Sequence, residues 1–515
     1  MSASRTKSGC WTCRIRRKNC ASRALHCHGY GERPAWMSGE HGRQQILDSE
    51  QARDVRNGAE RAYRRRRQNG SAVAPWSPYV LVQDLSRPSP DTHPRSPELD
   101  RTWSSCTQIL RDCDYTPDYQ YVHTFLDLIF PVQWGFFDLH QRQSDRQWLF
   151  DTIIASEPIY HASLGMCLSF ESGLKAGSTS GQCNITPEVR ASKLSALRGL
   201  QQYVAQLQQE PCLDISFLPQ AVRSVAVILL LASLEIFTDV EGSWEVHQNA
   251  AGTVLDLIET KMTVPGSTST LGVGFVGHLL QTLAPSFETR ALEFFVTSFV
   301  WGDILAEATH GITYGKPRQF DYLPLLRQDI INMRTIMGCR NSIMIAIKEG
   351  QWEAEQMDKA KILNQRIRDL VQETTHVITS EPANPEAGSH WVTAIHAHAC
   401  LVFLQTILML HVGRSLLDMK GAVEECLVLL EALPSHLFIR VCWPYALVGC
   451  MASESQHGRF RVVLRRAEEA GHVLGFTWKG LIIMEACWKL RHEMPGSVWC
   501  LQTTMKHMEM RVLLI

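Results

Sequence analysis

From about residue 115 to the last residue, apolar side chains recur every three or four positions. This period constrains the fold more than any other feature of the chain. In RASKLSALRGLQQYVAQLQQ (190–209), Leu194, Leu197, Leu200, Val204 and Leu207 fall on one helical face. Residues 243–261, 288–308, 352–374, 390–413 and 421–433 carry the same period. Strand-like alternation is scarce, and breaks such as VPGSTST and TSEPANPEAGSH fall between the periodic runs. The expectation is an all-α domain over 115–515, without internal repeats strong enough for a solenoid. The most apolar run, AVRSVAVILLLASLEIF, has about eleven uncharged residues between Arg223 and Glu235. That is short of the ~20 that cross a bilayer, so it reads as a buried helix and no membrane partner is expected.

The chain has 515 residues, more than one ordinary core holds, and is nearly neutral, with 51 Lys and Arg against 52 Asp and Glu. The balance is uneven: residues 1–67 hold sixteen basic and six acidic residues. A basic head on an acidic body points to a polyanionic partner for the head, the alternative being a solvated basic tail. Residues 38–114 are polar, with prolines at 75, 78, 88, 90, 94 and 97 that deny them a helix or a ladder. They read as a flexible linker, basic first and then rich in Pro and Ser. In the basic part, Arg64, Arg65, Arg66 and Arg67 are an import signal, a phosphate-binding arm or a solvated charge cluster. The 16 cysteines show no disulfide framework, and the polar N-terminus has no apolar signal segment, so a reducing compartment is expected.

Chemistry of the enzymatic kind finds little support. GVGFVG (272–277) matches a nucleotide-binding string, but PGSTSTL stands where the preceding strand should be. There is no P-loop, no nucleophile elbow and no H-E-x-x-H helix. His396 and His398 lie two apart on an apolar helix and so face different sides, which suits satisfied core histidines better than metal ligands. Cys400, Cys442 and Cys450 read as small core residues. No enzyme is expected.

The N-terminal cysteines are another matter. Cys10 and Cys13 form a C-x-x-C pair, Cys20 and Cys27 follow at six-residue intervals, and RIRRKN lies between Cys13 and Cys20. Two thiolates at C-x-x-C spacing can bind one tetrahedral Zn²⁺. A metal-held basic segment can then meet phosphates and base edges. SGCWTCRIRRK and NCASRALHCHGYGERPAWM resemble the two ends of the fungal zinc binuclear cluster, the Zn₂Cys₆ DNA-binding domain. SWEVHQNAAGTVL, MGCRNSIMIAIKEGQWEAEQ, VCWPYALVGCMASESQHGRFRVVL and MEMRVLLI are similar to segments of the fungal-specific transcription factor domain, a large α-helical regulatory region.

The resemblance implies a mainly α protein in three parts. These are a zinc-cluster module over 1–37, a linker over 38–114 and an all-α regulatory domain over 115–515. It implies a nuclear, zinc-dependent regulator of RNA polymerase II genes. Its metal ligands would be Cys10, Cys13, Cys20 and Cys27. Arg16 and Arg17 would read a CGG-like triplet in the major groove, and Arg14 and Lys18 would mainly meet phosphates. Double-stranded DNA is the implied partner, joined by a homo- or heterodimeric subunit and a small-molecule effector of the helical domain.

One departure qualifies this. The family pattern is C-x₂-C-x₆-C, a loop, C-x₂-C, about six residues and C, and two of its six cysteines are missing here. Cys20 fits the third position by its distance from Cys13 and the fifth by its distance to Cys27. Skipped coding sequence between Lys18 and Asn19 explains the gap more simply than a new fold. As written, the four thiolates can complete one zinc shell, with His26 or His28 able to replace a ligand, where the family holds two ions. The alternative is a regulator without DNA binding that acts by protein association through its helical domain.

Overall fold

A computed structural model describes residues 118–515, except 138–142, 177–185, 210–214, 239–242, 263–271, 285, 312–317, 354–356, 381–386, 414–417 and 471–474. All described residues belong to the unit Pro97–Ile515. Among them the regular structure is helical.

The first helices, α1 (Tyr119–Thr124) and α2 (Phe130–Gln133), continue one another through the wider turn Phe125–Ile129. Then come α3 (Gln143–Ile154), α4 (Glu157–Ala176), α5 (Pro187–Gln209), α6 (Leu218–Thr238) and α7 (Ser243–Lys261). After these follow α8 (Gly274–Thr282), α9 (Phe287–His310), α10 (Leu323–Arg327), α11 (Met333–Met337), α12 (Asn341–Glu353) and α13 (Met357–Ser380). The last are α14 (Ala387–His411), α15 (Met419–Ala432), α16 (Cys442–Cys450), α17 (Glu454–Glu469), α18 (Gly475–Glu493) and α19 (Leu501–His507). Two short tight helices, Ile215–Phe217 and Ser435–Val441, lead into α6 and α16.

Helices α6, α9, α14 and α16 are apolar nearly all round and form the centre, because a helix without a polar face must be covered on every side. Helix α14 is buried from Val392 to Leu408 without a break. Polar-faced helices such as α5, α13 and α17 cover them. Phe294 of α9 anchors an aromatic cluster, with ring centroids 5.5 Å from Phe130, 5.3 Å from Trp134, 5.0 Å from Phe137 and 5.7 Å from Trp148. This ties α2 and α3 onto the central helix. Beyond α19 the final residues fold back: Val512, Leu513 and Leu514 are buried. Trp244 of α7 donates to the Arg511 carbonyl at 3.0 Å, and His310 of α9 bonds the Val512 carbonyl at 3.0 Å.

The expected all-α domain is present, with three corrections of detail. Leu194 is exposed, and the buried face of α5 is Val189, Ser192, Ala196, Leu200 and Leu207. Small residues cause the rotation: a Cβ on Gly199 would meet Pro158 Cγ of α4 at 2.2 Å, so α4 and α5 approach through Ser192, Ala196 and Gly199 rather than through leucines. The run expected as one helix over 352–374 divides between α12 and α13. Finally, the helical stretch Ile215–Ile236 and the helix Ala387–His411 are both long and apolar enough to cross a membrane, contrary to the shortness expected of the first. Both are largely enclosed by the other helices, with 67% and 94% of their apolar windows buried.

Candidate functional site

Cys10, Cys13, Cys20, Cys27, the basic residues Arg14, Arg16, Arg17 and Lys18, and Arg64 to Arg67 all lie outside the described residues. The remaining candidates are visible. GVGFVG is no nucleotide site. The backbone amides of Phe275 and Val276 at the start of α8 already donate to the Glu259 carboxylate, at 2.5 and 3.1 Å. An anion at a helix N-terminus is favourable, and here the chain supplies its own. Gly274 has φ +71°, and a Cβ there would meet Glu259 Oε1 at 2.2 Å, so glycine is what allows the carboxylate to approach.

His396 and His398 are buried core histidines. His396 Nδ1 is 2.9 Å from the Val392 carbonyl one turn back, and its ring lies between Trp301 and Trp443 with centroids 5.3 and 6.3 Å away. His398 meets Thr375 Oγ1 at 3.3 Å and Glu425 at 3.7 Å. Burial lowers both pKa values from 6.5 to about 4. Cys400, Cys442 and Cys450 are buried free thiols whose pKa values burial pushes up, so they are poor nucleophiles and poor ligands. Among the described residues no group of three or more His, Cys, Asp or Glu side chains could hold a metal.

Two arginines, one largely and one more than nine-tenths buried, matter more. Arg318 donates to Asp303 of α9, an aspartate only 3% exposed, and to Asn249 Oδ1 of α7 at 3.2 Å. Tyr322 donates to the other Asp303 oxygen at 2.8 Å. One turn along α9, Glu307 pairs with Lys348 of α12. Burial raises the Glu307 pKa against the pull of Lys348. Each charge in this network has an opposite charge in reach.

Arg440 does not. It is 8% exposed, in the tight helix before α16. Its hydrogen bond goes to the Val132 carbonyl in the last turn of α2, where a cation suits the helix C-terminus. No carboxylate among the described residues pairs with it. Burial lowers its pKa from 12.5 to about 10, which leaves it a cation at neutral pH.

Arg440 lines a cavity of about 70 Å³. The apolar walls include Leu229 and Ile236 of α6, Trp301 of α9, Met337 of α11, and Leu513 and Ile515. Four polar side chains, Gln133, Ser233, Gln248 and Ser298, share it with Arg440. Gln133 Oε1 and Ser298 Oγ are buried without hydrogen-bond partners. Gln248 reaches in from α7, its Nε2 donating to the Phe299 carbonyl at 2.9 Å. Gly302 makes room for Gln248, because a Cβ there would lie 3.2 Å from the amide nitrogen. Sequence reasoning missed this site. The available signal was Arg440 itself, the one charged residue between Glu431 and Glu454, set in the apolar run LFIRVCWPYALV.

With the fold in place, its relatives can be identified. Residues 120–515 match the fungal specific transcription factor domain. The trichothecene biosynthesis transcription regulator of Trichoderma arundinaceum is 25% identical over 73% of this chain and 93% of its own. The pestheic acid cluster transcriptional regulator 3 of Pestalotiopsis fici is 22% identical over 96% of each chain. The ustiloxin B cluster transcription factor of Aspergillus flavus is 23% identical over 95% of this chain and 94% of its own. No solved structure matches. The family model spans the helical unit from its first described turn to its last residue, and the chain belongs to the fungal specific transcription factor domain family.

Proposed function

We propose that the protein is a nuclear, zinc-dependent DNA-binding regulator of RNA polymerase II transcription, and that its targets are genes of a fungal secondary-metabolite cluster. The observation that carries this is the match of residues 120–515 to the transcription factor domain, preceded by a Cys-rich basic head. The relatives add direction, since their names assign them to trichothecene biosynthesis, a pestheic acid cluster and a ustiloxin B cluster.

The donor set in the head fits one zinc ion and not two. Cys10, Cys13, Cys20 and Cys27 make one tetrahedral thiolate shell, whereas a binuclear cluster needs six cysteines with two of them shared. When bound, zinc supplies the folding energy of so small a module. Arg16 and Arg17 then present guanidinium groups to guanine edges, and Arg14 and Lys18 neutralise phosphates.

The full-length protein tests the reading by zinc count in native mass spectrometry and by fluorescence anisotropy on a duplex with a CGG triplet. We expect one zinc per chain and salt-sensitive binding that Cys13→Ser abolishes. Arg16→Ala should cost about 1–3 kcal/mol and relax preference at the triplet. Lys18→Ala should weaken all duplexes alike and reduce the salt slope. The departure from the six-cysteine pattern favours a second reading, a regulator that acts by protein association. A chain that holds no zinc and binds no duplex, yet co-purifies with a DNA-bound paralogue, would establish the second reading in place of the first.

A further inference from the structure

We propose that the cavity beside Arg440 is a binding site for a short aliphatic monocarboxylate, held through Arg440 and Ser298 with its carbon chain against Leu229, Ile236, Trp301 and Leu513. A buried cation is ordinarily matched by a buried anion, because desolvation of an unpaired charge is costly. Arg440 is more than nine-tenths buried, and one backbone carbonyl is its hydrogen-bond partner. Buried polar atoms in native proteins are nearly all hydrogen-bonded. Yet Ser298 Oγ and Gln133 Oε1 line the same cavity without partners. A buried cation and a hydroxyl donor facing one space, against apolar walls, make a receptor for a small anion with an apolar body, whereas Gln133 Oε1 can only accept and marks the rim that a carboxylate must avoid.

Carboxylate is the anion that this set favours. Guanidinium binds it in a bidentate fork, and a serine hydroxyl can donate to an oxygen that remains. Phosphate would want more donors than two or three, and the apolar walls would face its oxygens. The volume sets the size. At about 70 Å³ the cavity is roughly half of one that admits benzene, which leaves room for an acid of about two to four carbons. The walls belong to α2, α6, α7, α9, α11, the segment before α16 and residues 513 and 515, so occupancy ties together parts of the chain more than 300 residues apart. Through that link the acid would act as an effector. This regulatory role rests on the proposed function above; the binding itself does not.

The test uses the full-length protein without DNA, so its outcome is independent of whether the head binds a duplex. Propionate is titrated at pH 7.5 by calorimetry and thermal shift, with propionamide as the neutral isostere and inorganic phosphate as the competing anion. We expect saturable stabilisation by propionate and none by propionamide or phosphate. Arg440→Met should weaken binding about ten- to a hundredfold, the worth of a charge-assisted hydrogen bond. Arg440→Lys should recover part of it. Ser298→Ala should weaken it a few-fold. If Arg440→Met does not fold, Gln133→Glu serves instead: it puts the chain's own carboxylate in the cavity and should abolish the response to propionate. Equal stabilisation by propionamide would make this an apolar pocket only. Equal stabilisation by phosphate would mean an adventitious anion site. An undiminished response in Arg440→Met or Gln133→Glu, or no response to propionate at all, would leave Arg440 as a helix cap and overturn the proposal. A regulator whose head binds DNA with an affinity that propionate does not change would retain the site and lose the effector role.

Discussion

Arg318, its side chain 12% exposed, and the buried Arg440 are both cations set against the central helices, and the chain treats them oppositely. Around Arg318, Asp303, Asn249 and Tyr322 close a network in which every charge is answered. Around Arg440, one carbonyl is answered and a cavity with two unpartnered polar atoms remains. The first arrangement is a structural cross-brace from α9 to α7. The second has the components of a binding site. Burial alone does not separate structural charges from functional ones; completeness of their partners does.

The comparison can be strained from its complete side first. Asp303→Ala should strand Arg318 without a counter-charge and cost about 3–5 kcal/mol in urea unfolding. A cost near zero would mean that Arg318 tolerates isolation as well as Arg440 does, and the contrast would disappear. Acid gives the next effect and defines the pH range in which the arginines should be compared. His396 and His398 are neutral in the fold with pKa values lowered to about 4, against 6.5 when exposed. The unfolded chain therefore takes up these protons first. Stability should be complete above about pH 6.5 and fall towards pH 4, at up to about 1.4 kcal/mol per pH unit for each histidine. His396→Gln should flatten about half of that slope in denaturation curves run at several pH values. Both arginines stay charged throughout, so comparisons above pH 7 are free of the histidines.

A smaller effect sharpens the idea of internal completeness on an anion. Glu259 is answered by the amides of α8 because Gly274 lets it approach. Gly274→Ala should cost about 1–2 kcal/mol for its left-handed backbone, with a further loss as Glu259 withdraws. A neutral result by thermal denaturation would show that the Glu259 pairing adds nothing. The smallest effect concerns a residue that periodicity misplaces: Leu194→Gln should change stability by no more than about 0.5 kcal/mol, because the side chain is exposed. A large loss would return Leu194 to the core face.

How much was legible in the sequence follows from which forces act locally. Period-3.6 patterning reveals helices because burial of one face decides their phase, and α7, α9, α14 and α15 lie where that pattern puts them. It fails at Leu194 because the α4–α5 contact is set by Gly199 and Pro158, and close packing through small residues outweighs a count of leucines. The length of α6 was misjudged for a related reason: Arg223 and Glu235 bracket the apolar run without ending the helix, and Glu235 is paired inside the bundle with Lys193 of α5. The cavity was illegible because its polar groups come from residues 133, 233, 248, 298 and 440, which only the tertiary fold brings together. The Cys-rich head is the converse case. The chemistry expected of it rests on local spacing alone, and its residues lie outside the described ones.

The central claim, that Arg440 is held for a partner the chain does not supply, has a direct test in unfolding free energies. Arg318→Met and Arg440→Met are compared by urea denaturation of the ligand-free protein at pH 7.5. The account predicts a loss of about 3–5 kcal/mol for Arg318→Met, which orphans Asp303, and less than about 1.5 kcal/mol for Arg440→Met, where a lost carbonyl bond is offset by relief of an unpaired buried charge. Equal and large losses would contradict it, because Arg440 would then be as much a part of the internal framework as Arg318.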